Sequence, residues 1–146
     1  MAITQAIANA FKKQLLEGDQ NFSNSGGDKF KLALYTSSAT LNPTTTAYAA
    51  TNEVANSGTY AAGGGALTGQ NTSIASGVAI VDFADLSFTG VTLTARGALI
   101  YNTSSAVTDA AVAVLDFGAD KTATSGTFTV QFPAFTTAAA ILRISG

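Results

Sequence analysis

From Ala66 to Ile144 the chain returns about every 10 residues to a short apolar, β-branched or aromatic stretch, and glycine or small polar residues fill the gaps. That spacing leaves no room for the crossover helix of a parallel βαβ unit, so the strands must meet as antiparallel neighbours. The stretches that read as strands are residues 66–69, 76–83, 86–93, 96–101, 111–117, 126–132 and 139–144. Turns are expected at Gly63-Gly64-Gly65, Asn102-Thr103-Ser104-Ser105 and Gly118-Ala119-Asp120. Two runs, Ala98-Leu99-Ile100-Tyr101 and Val112-Ala113-Val114-Leu115, are apolar on both faces and belong in the centre of a sheet. The polar segment 102–109 between them is short enough to make them a hairpin pair.

Ahead of this region, residues 29–36 alternate. Phe30, Leu32 and Leu34 fall on one face, with Lys31, Ala33 and Tyr35 on the other, the pattern of a half-exposed strand. The Thr/Ala-rich segment 37–58 follows, and its Ala-rich middle, 46–55, suits a short helix. The chain opens with Ile3, Ile7, Phe11 and Leu15 at intervals of four, with Leu16 widening the stripe. This spacing predicts a helix capped by Thr4 and ended by Gly18, with Lys12 and Lys13 in its last turns. A polar loop, 19–28, separates it from the first strand. The expected architecture is therefore mainly β: an antiparallel β-sandwich or barrel-like domain over 29–146 with an N-terminal α-helix forming an arm over 1–18. The stripe of Ile3, Ile7, Phe11 and Leu15 can cover an end of the chain's own sheet or dock on a neighbouring subunit. The flexible loop behind it imposes no geometry and favours the second role.

The composition removes whole classes of chemistry. The 146 residues include no His and no Cys, which leaves no Ser-His-Asp or Cys-His arrangement and none of the common zinc ligand sets. Carboxylate pairs of the glycosidase type stay possible, but nothing in the spacing of the nine acids singles one out. The expectation is a non-enzyme with no cofactor. Charged residues make up 11% of the chain against a usual value of about 25%, so the surface is built from Thr, Ser, Asn, Gly and Ala. A small chain with so few charges is poorly protected from association, which points to a homo-oligomer or a part of a larger assembly. With a net charge of −2 and no basic patch, nucleic acid is not an expected partner. No apolar run approaches the roughly 20 residues that span a bilayer, and Met1-Ala2-Ile3-Thr4 lacks the form of a secretory signal.

Three features invite a site. Gly63-Gly64-Gly65 lacks the Lys and Ser or Thr of a phosphate loop and reads as a turn with positive φ. The pairs Asp82/Asp85 and Asp116/Asp120 offer oxygens for calcium. They fall short of the density such a site needs and fit better as strand-end acceptors for turn N–H groups. Arg96 opens an apolar strand, where an unpaired charge is costly, so an ion pair is expected with Glu53, Asp82 or Asp116. Glu53 is favoured because it too stands alone, between Lys31 and Asp82.

The succession Phe30-Lys31-Leu32-Ala33-Leu34-Tyr35-Thr36, Ala47-Tyr48, Glu53-Val54, Gly58-Thr59-Tyr60-Ala61-Ala62-Gly63-Gly64, Ala95-Arg96-Gly97-Ala98-Leu99-Ile100-Tyr101-Asn102 and Ala113-Val114-Leu115-Asp116-Phe117-Gly118 resembles small virion proteins of tailed bacteriophages. The likeness covers residues 30–132, departs from the family where Thr59 separates Gly58 from Tyr60, and carries no catalytic residues. It implies a virion structural part made in the host cytoplasm: a capsid cement or decoration protein, trimeric, bound to the major capsid protein or other virion proteins. A neck or tail component is the alternative. A carbohydrate-binding sandwich is a third, weakened by the lack of Trp and the presence of only four Tyr.

Overall fold

The computed structural model describes residues 2–136 and 138–146. Its spine is one long antiparallel hairpin, β6 (Leu86–Asn102) and β7 (Ala110–Val130). On the outer side of β6 lie β2 (Phe30–Tyr35) and then β3 (Gly65–Ala66), while β1 (Ala6–Ile7) pairs with β7. This gives a five-stranded sheet in the order β1-β7-β6-β2-β3. A second sheet, β4-β5-β8, is formed by Asn71–Ala75, Val78–Asp82 and Leu142–Ile144. Among the described residues there is one helix, α1, over Asn9–Glu17. The protein is thus mainly β with antiparallel sheets and a short helix near the N-terminus, as its strand rhythm requires.

The two runs apolar on both faces pair as expected, with Leu99 opposite Val114 and Ile100 opposite Ala113, all essentially buried. The expected breaks at 93–96 and 117–126 do not exist. Each pair of expected strands is one continuous strand with bulges. Ala95 pairs with Lys121 and Gly97 with Asp116, so β7 takes five steps where β6 takes two. Gly118, at φ 80°, sits inside that bulge; the positive φ read as a turn here re-aims a strand.

Strand β2 is buried on both faces apart from Lys31, not half-exposed. Its second face is covered by the 47–64 segment: Tyr35 Oη donates to the Ala49 carbonyl at 2.8 Å. Gly64 lies so close that a Cβ there would run into the Leu32 carbonyl. The helix expected at 46–55 is absent, because this segment spends its main-chain groups on its neighbours. Tyr48 N–H donates to the Asp109 carbonyl, and Glu53 bridges to Tyr35.

The N-terminal expectation is corrected in the same way. The helix begins at Asn9, with Ala8 and not Thr4 at its N-cap, and ends at Gly18 in the left-handed region. Ile3 bridges to Leu41, and Ala6–Ile7 add to β7 opposite Val114 and Ala113. A spacing of four keeps residues on one face of a helix, but four is also even, so Ile3 and Ile7 align equally well on a strand. Ile3, Ala8 and Phe11 belong to the same buried cluster as the sheets, so residues 3–18 are built into the domain and are not a detached arm. Edge, stacked and tilted aromatic contacts run Phe11–Phe22–Phe30–Phe83–Phe132 and join α1, β2 and the segments just after β5 and β7 in one core.

Candidate functional site

The titratable groups converge at Glu53. Its Oε2 accepts from Tyr48 Oη at 2.6 Å, and its Oε1 accepts from Tyr60 Oη and from the Gly63 N–H, both at 2.7 Å. Tyr60 Oη also accepts from the Leu34 N–H at 2.8 Å, and Tyr101 Oη donates to the Gly63 carbonyl at 2.6 Å. Tyr48 stacks on Tyr101 with ring centroids 4.8 Å apart. All four tyrosines of the chain therefore surround one carboxylate or its immediate partners. Burial, with the Glu53 hydrogen bond second, pushes the Tyr48 hydroxyl up to about 12. Tyr35, Tyr60 and Tyr101 are raised further, again chiefly by burial. The phenols stay protonated at neutral pH and act as donors, and the cluster clamps residues 48–63 onto β2 and β6.

Glu53 is accordingly not the partner of Arg96, which corrects the expected pair. Arg96 Nε lies 3.3 Å from Asp116 Oδ1, across the bulge. Asp116 Oδ1 also accepts the Gly118 N–H at 2.9 Å, and that bond, followed by Arg96, lowers its pKa. Asp85 likewise accepts from a main-chain N–H, that of Phe132, at 2.9 Å. Asp116, inside the β7 bulge, and Asp85, just before β6, thus each serve a main-chain donor, whereas Asp82 Oδ1 is buried with no hydrogen-bond partner among the described residues. Among the described residues no group of three or more acids is placed to hold a metal ion. Gly63 and Gly64 both have positive φ, at 94° and 83°, as a turn requires.

An open groove of about 1100 Å³ lies between α1 and the β4-β5-β8 sheet. Ile7, Leu15 and Leu16 form one wall, and Ile74, Ala79 and Ile144 the other. The second wall follows from register: Ile74 pairs with Ala79 and Ala79 with Ile144, so the three stand in a row on one face. The next row on that face, Thr72–Val81–Leu142, reaches the core at Leu142, while the first row overhangs it. Leu16 is 90% exposed, Ile74 78% and Ile144 60%. Of the four expected interface residues, Ile3 and Phe11 face the chain's own core; Ile7 and Leu15 are half-buried and line the groove.

Sequence reading missed Ile74, Ile144 and the tyrosine cluster. A signal for the first was present. Ser76-Gly77 follows Asn71–Ala75 and precedes Val78–Asp82, a two-residue hairpin turn between β-prone stretches. No known protein family matches the chain, and no curated protein or solved structure matches it either.

Proposed function

We propose that this chain is a structural protein of a tailed-bacteriophage virion, in the role of a capsid cement or decoration protein that stabilises the head through protein–protein contacts. The observation that supports an assembly role is the groove beside α1, where three large aliphatic side chains stand in water at 90%, 78% and 60% exposure. Contiguous apolar surface of this kind on a chain with 11% charged residues fits burial against other protein, a copy of itself or the major capsid protein. The virion context comes from the likeness of residues 30–132 to phage virion proteins. A sugar-binding role has less support, because three of the four tyrosines, Tyr35, Tyr60 and Tyr101, are buried, and Tyr48 stacks one face on Tyr101. Quantified gels of purified virions test the proposal. Hundreds of copies per particle are expected; a handful would move the chain to the neck or tail, and its absence from particles would overturn the virion reading.

A further inference from the structure

We infer that two copies of this chain join through strand β4, edge to edge and antiparallel about a two-fold axis at Ser73, to make one continuous six-stranded sheet. This contact goes beyond the virion reading and does not depend on it.

The starting point is how the outer strands are protected. A sheet edge offers unpaired N–H and C=O groups to any extended chain, and proteins blunt such edges by shortness, charge, proline or bulges. In the five-stranded sheet the outer strands β1 and β3 are two residues each, and in the second sheet β8 is three. Strand β4 is five residues long and exposed throughout, and its sequence Asn-Thr-Ser-Ile-Ala carries no charge and no proline. Among the described residues it is the one outer strand with none of these protections.

The hairpin turn fixes which groups face outward. Ser76 and Gly77 both have positive φ, at 50° and 76°, which makes a two-residue type I′ turn. In such a hairpin the flanking pair Ala75–Val78 exchanges main-chain bonds, and so do Ser73–Ile80 and Asn71–Asp82. Thr72 and Ile74 therefore aim their N–H and C=O groups away from β5. The antiparallel register that pairs all of these outward groups with each other sets Thr72 opposite Ile74 of the second copy, Ile74 opposite its Thr72, and Ser73 opposite Ser73. Four main-chain hydrogen bonds form, and no like charges meet along the strand. The occupant is a second copy because the edge is complementary to itself in this register. Asn71 Oδ1 accepts the Thr72 N–H at 2.9 Å, which covers one of the four outward groups in each copy and so two of the four bonds. That side chain is exposed and swings aside without leaving a buried group unpaired. In the pair each Ile74 gains a cross-strand neighbour, Thr72 of the other copy, on the groove face.

The chain has no cysteine, so one introduced thiol reports on one position. At the two-fold axis Ser73 faces its mate in a non-hydrogen-bonded pair, where Cα atoms lie about 4.5 Å apart, within disulfide range. Under mild oxidation, Ser73→Cys should give disulfide dimers at least about tenfold faster than Asn71→Cys, whose thiols the same register holds far apart. Wild type should sediment as a concentration-dependent dimer. Ile74→Lys and Ile74→Pro should shift it toward monomer with circular dichroism unchanged, since the Ile74 N–H takes no part in the β4–β5 ladder. Equal oxidation rates for Ser73→Cys and Asn71→Cys, or an oligomer unaffected by both Ile74 variants, would overturn the contact.

Discussion

Removing the Glu53 carboxylate should loosen the whole 48–63 segment, and its bonding gives the size of the effect. Hydrogen bonds to a charged acceptor are worth about 1.5–3 kcal/mol each when shielded from water. Of the three that Glu53 accepts, the one from Tyr48 is partly solvated and contributes least. The Tyr60 hydroxyl is buried; without Glu53 it still accepts from the Leu34 N–H, but its own proton keeps only a long 3.4 Å approach to the Leu34 carbonyl. The Gly63 N–H has no other acceptor among the described bonds. Counting the last two at the lower end gives a loss of about 3–4 kcal/mol for Glu53→Ala, a large part of the 5–15 kcal/mol that holds a typical domain together. Glu53→Gln keeps one carbonyl oxygen for Tyr60 and Gly63 and turns a donor toward Tyr48, whose hydroxyl can rotate to accept; its loss should be about 1 kcal/mol. Urea unfolding at one fixed protein concentration measures both variants. With no Trp in the chain, tyrosine emission reports directly on the cluster. At a slope of about 2 kcal/mol per molar, the Ala midpoint should fall by about 1.5–2 M with the slope unchanged. Equal losses for Ala and Gln, or a loss under about 1 kcal/mol for Ala, would refute the idea that these three bonds clamp the segment.

Arg96→Met and Asp116→Asn should each cost no more than about 1 kcal/mol in thermal or urea unfolding, because the pair is partly solvated. Combined with Glu53→Gln, Arg96→Met should be additive within about 0.5 kcal/mol; a larger coupling would mean the two side chains do meet. The four tyrosines hold their protons more tightly when folded than when unfolded. Their contribution to stability is therefore complete below pH 10 and is lost as the pH climbs toward the folded values, about 12 for Tyr48. Absorbance of tyrosinate should then rise together with unfolding above pH 10, and ionisation well below that, without unfolding, would contradict the buried geometry. Phe11→Ala should destabilise the domain by about 3–5 kcal/mol, and deletion of residues 1–18 should abolish folding as seen by circular dichroism, because Ile3, Ala8 and Phe11 fill the common core.

What the sequence made legible was the pattern that has a single structural solution. A run apolar on both faces fits a central strand, and two of them joined by a short polar segment fit as neighbours, so the runs at 98–101 and 112–115 read as a hairpin pair, which the structure forms with Leu99 opposite Val114. Patterns with two solutions were misread. Glycine at positive φ serves a turn or a bulge, and Gly118 proved to be the latter. A four-residue spacing serves a helix or a strand, and the chain uses both: Ile3 and Ile7 lie in extended segments while Phe11 and Leu15 lie on α1.

The functional surface was less legible for a different reason: exposure belongs to the tertiary arrangement and not to any local pattern. Leu16 extends an apolar stripe and would be expected to face the core. The helix starts later than the stripe, at Asn9, and turns Phe11 and Gln14 inward, which leaves Leu16 exposed on the groove wall. Ile74 is a lone aliphatic in a polar stretch, ordinary in sequence. It becomes significant because β4 is the outermost strand of its sheet and its cross-strand row with Ala79 and Ile144 projects past the core. Glu53 and the tyrosines show the same dependence. Tyr48 and Tyr60 lie towards opposite ends of the 47–64 segment and Tyr101 lies on β6; they meet only because that segment crosses β2 and reaches the end of the β6–β7 hairpin. A lone acid in an uncharged stretch signalled that it must have partners; that they would be phenols and a main-chain N–H, and not the lone Arg96, followed from a chain crossing that no local spacing encodes.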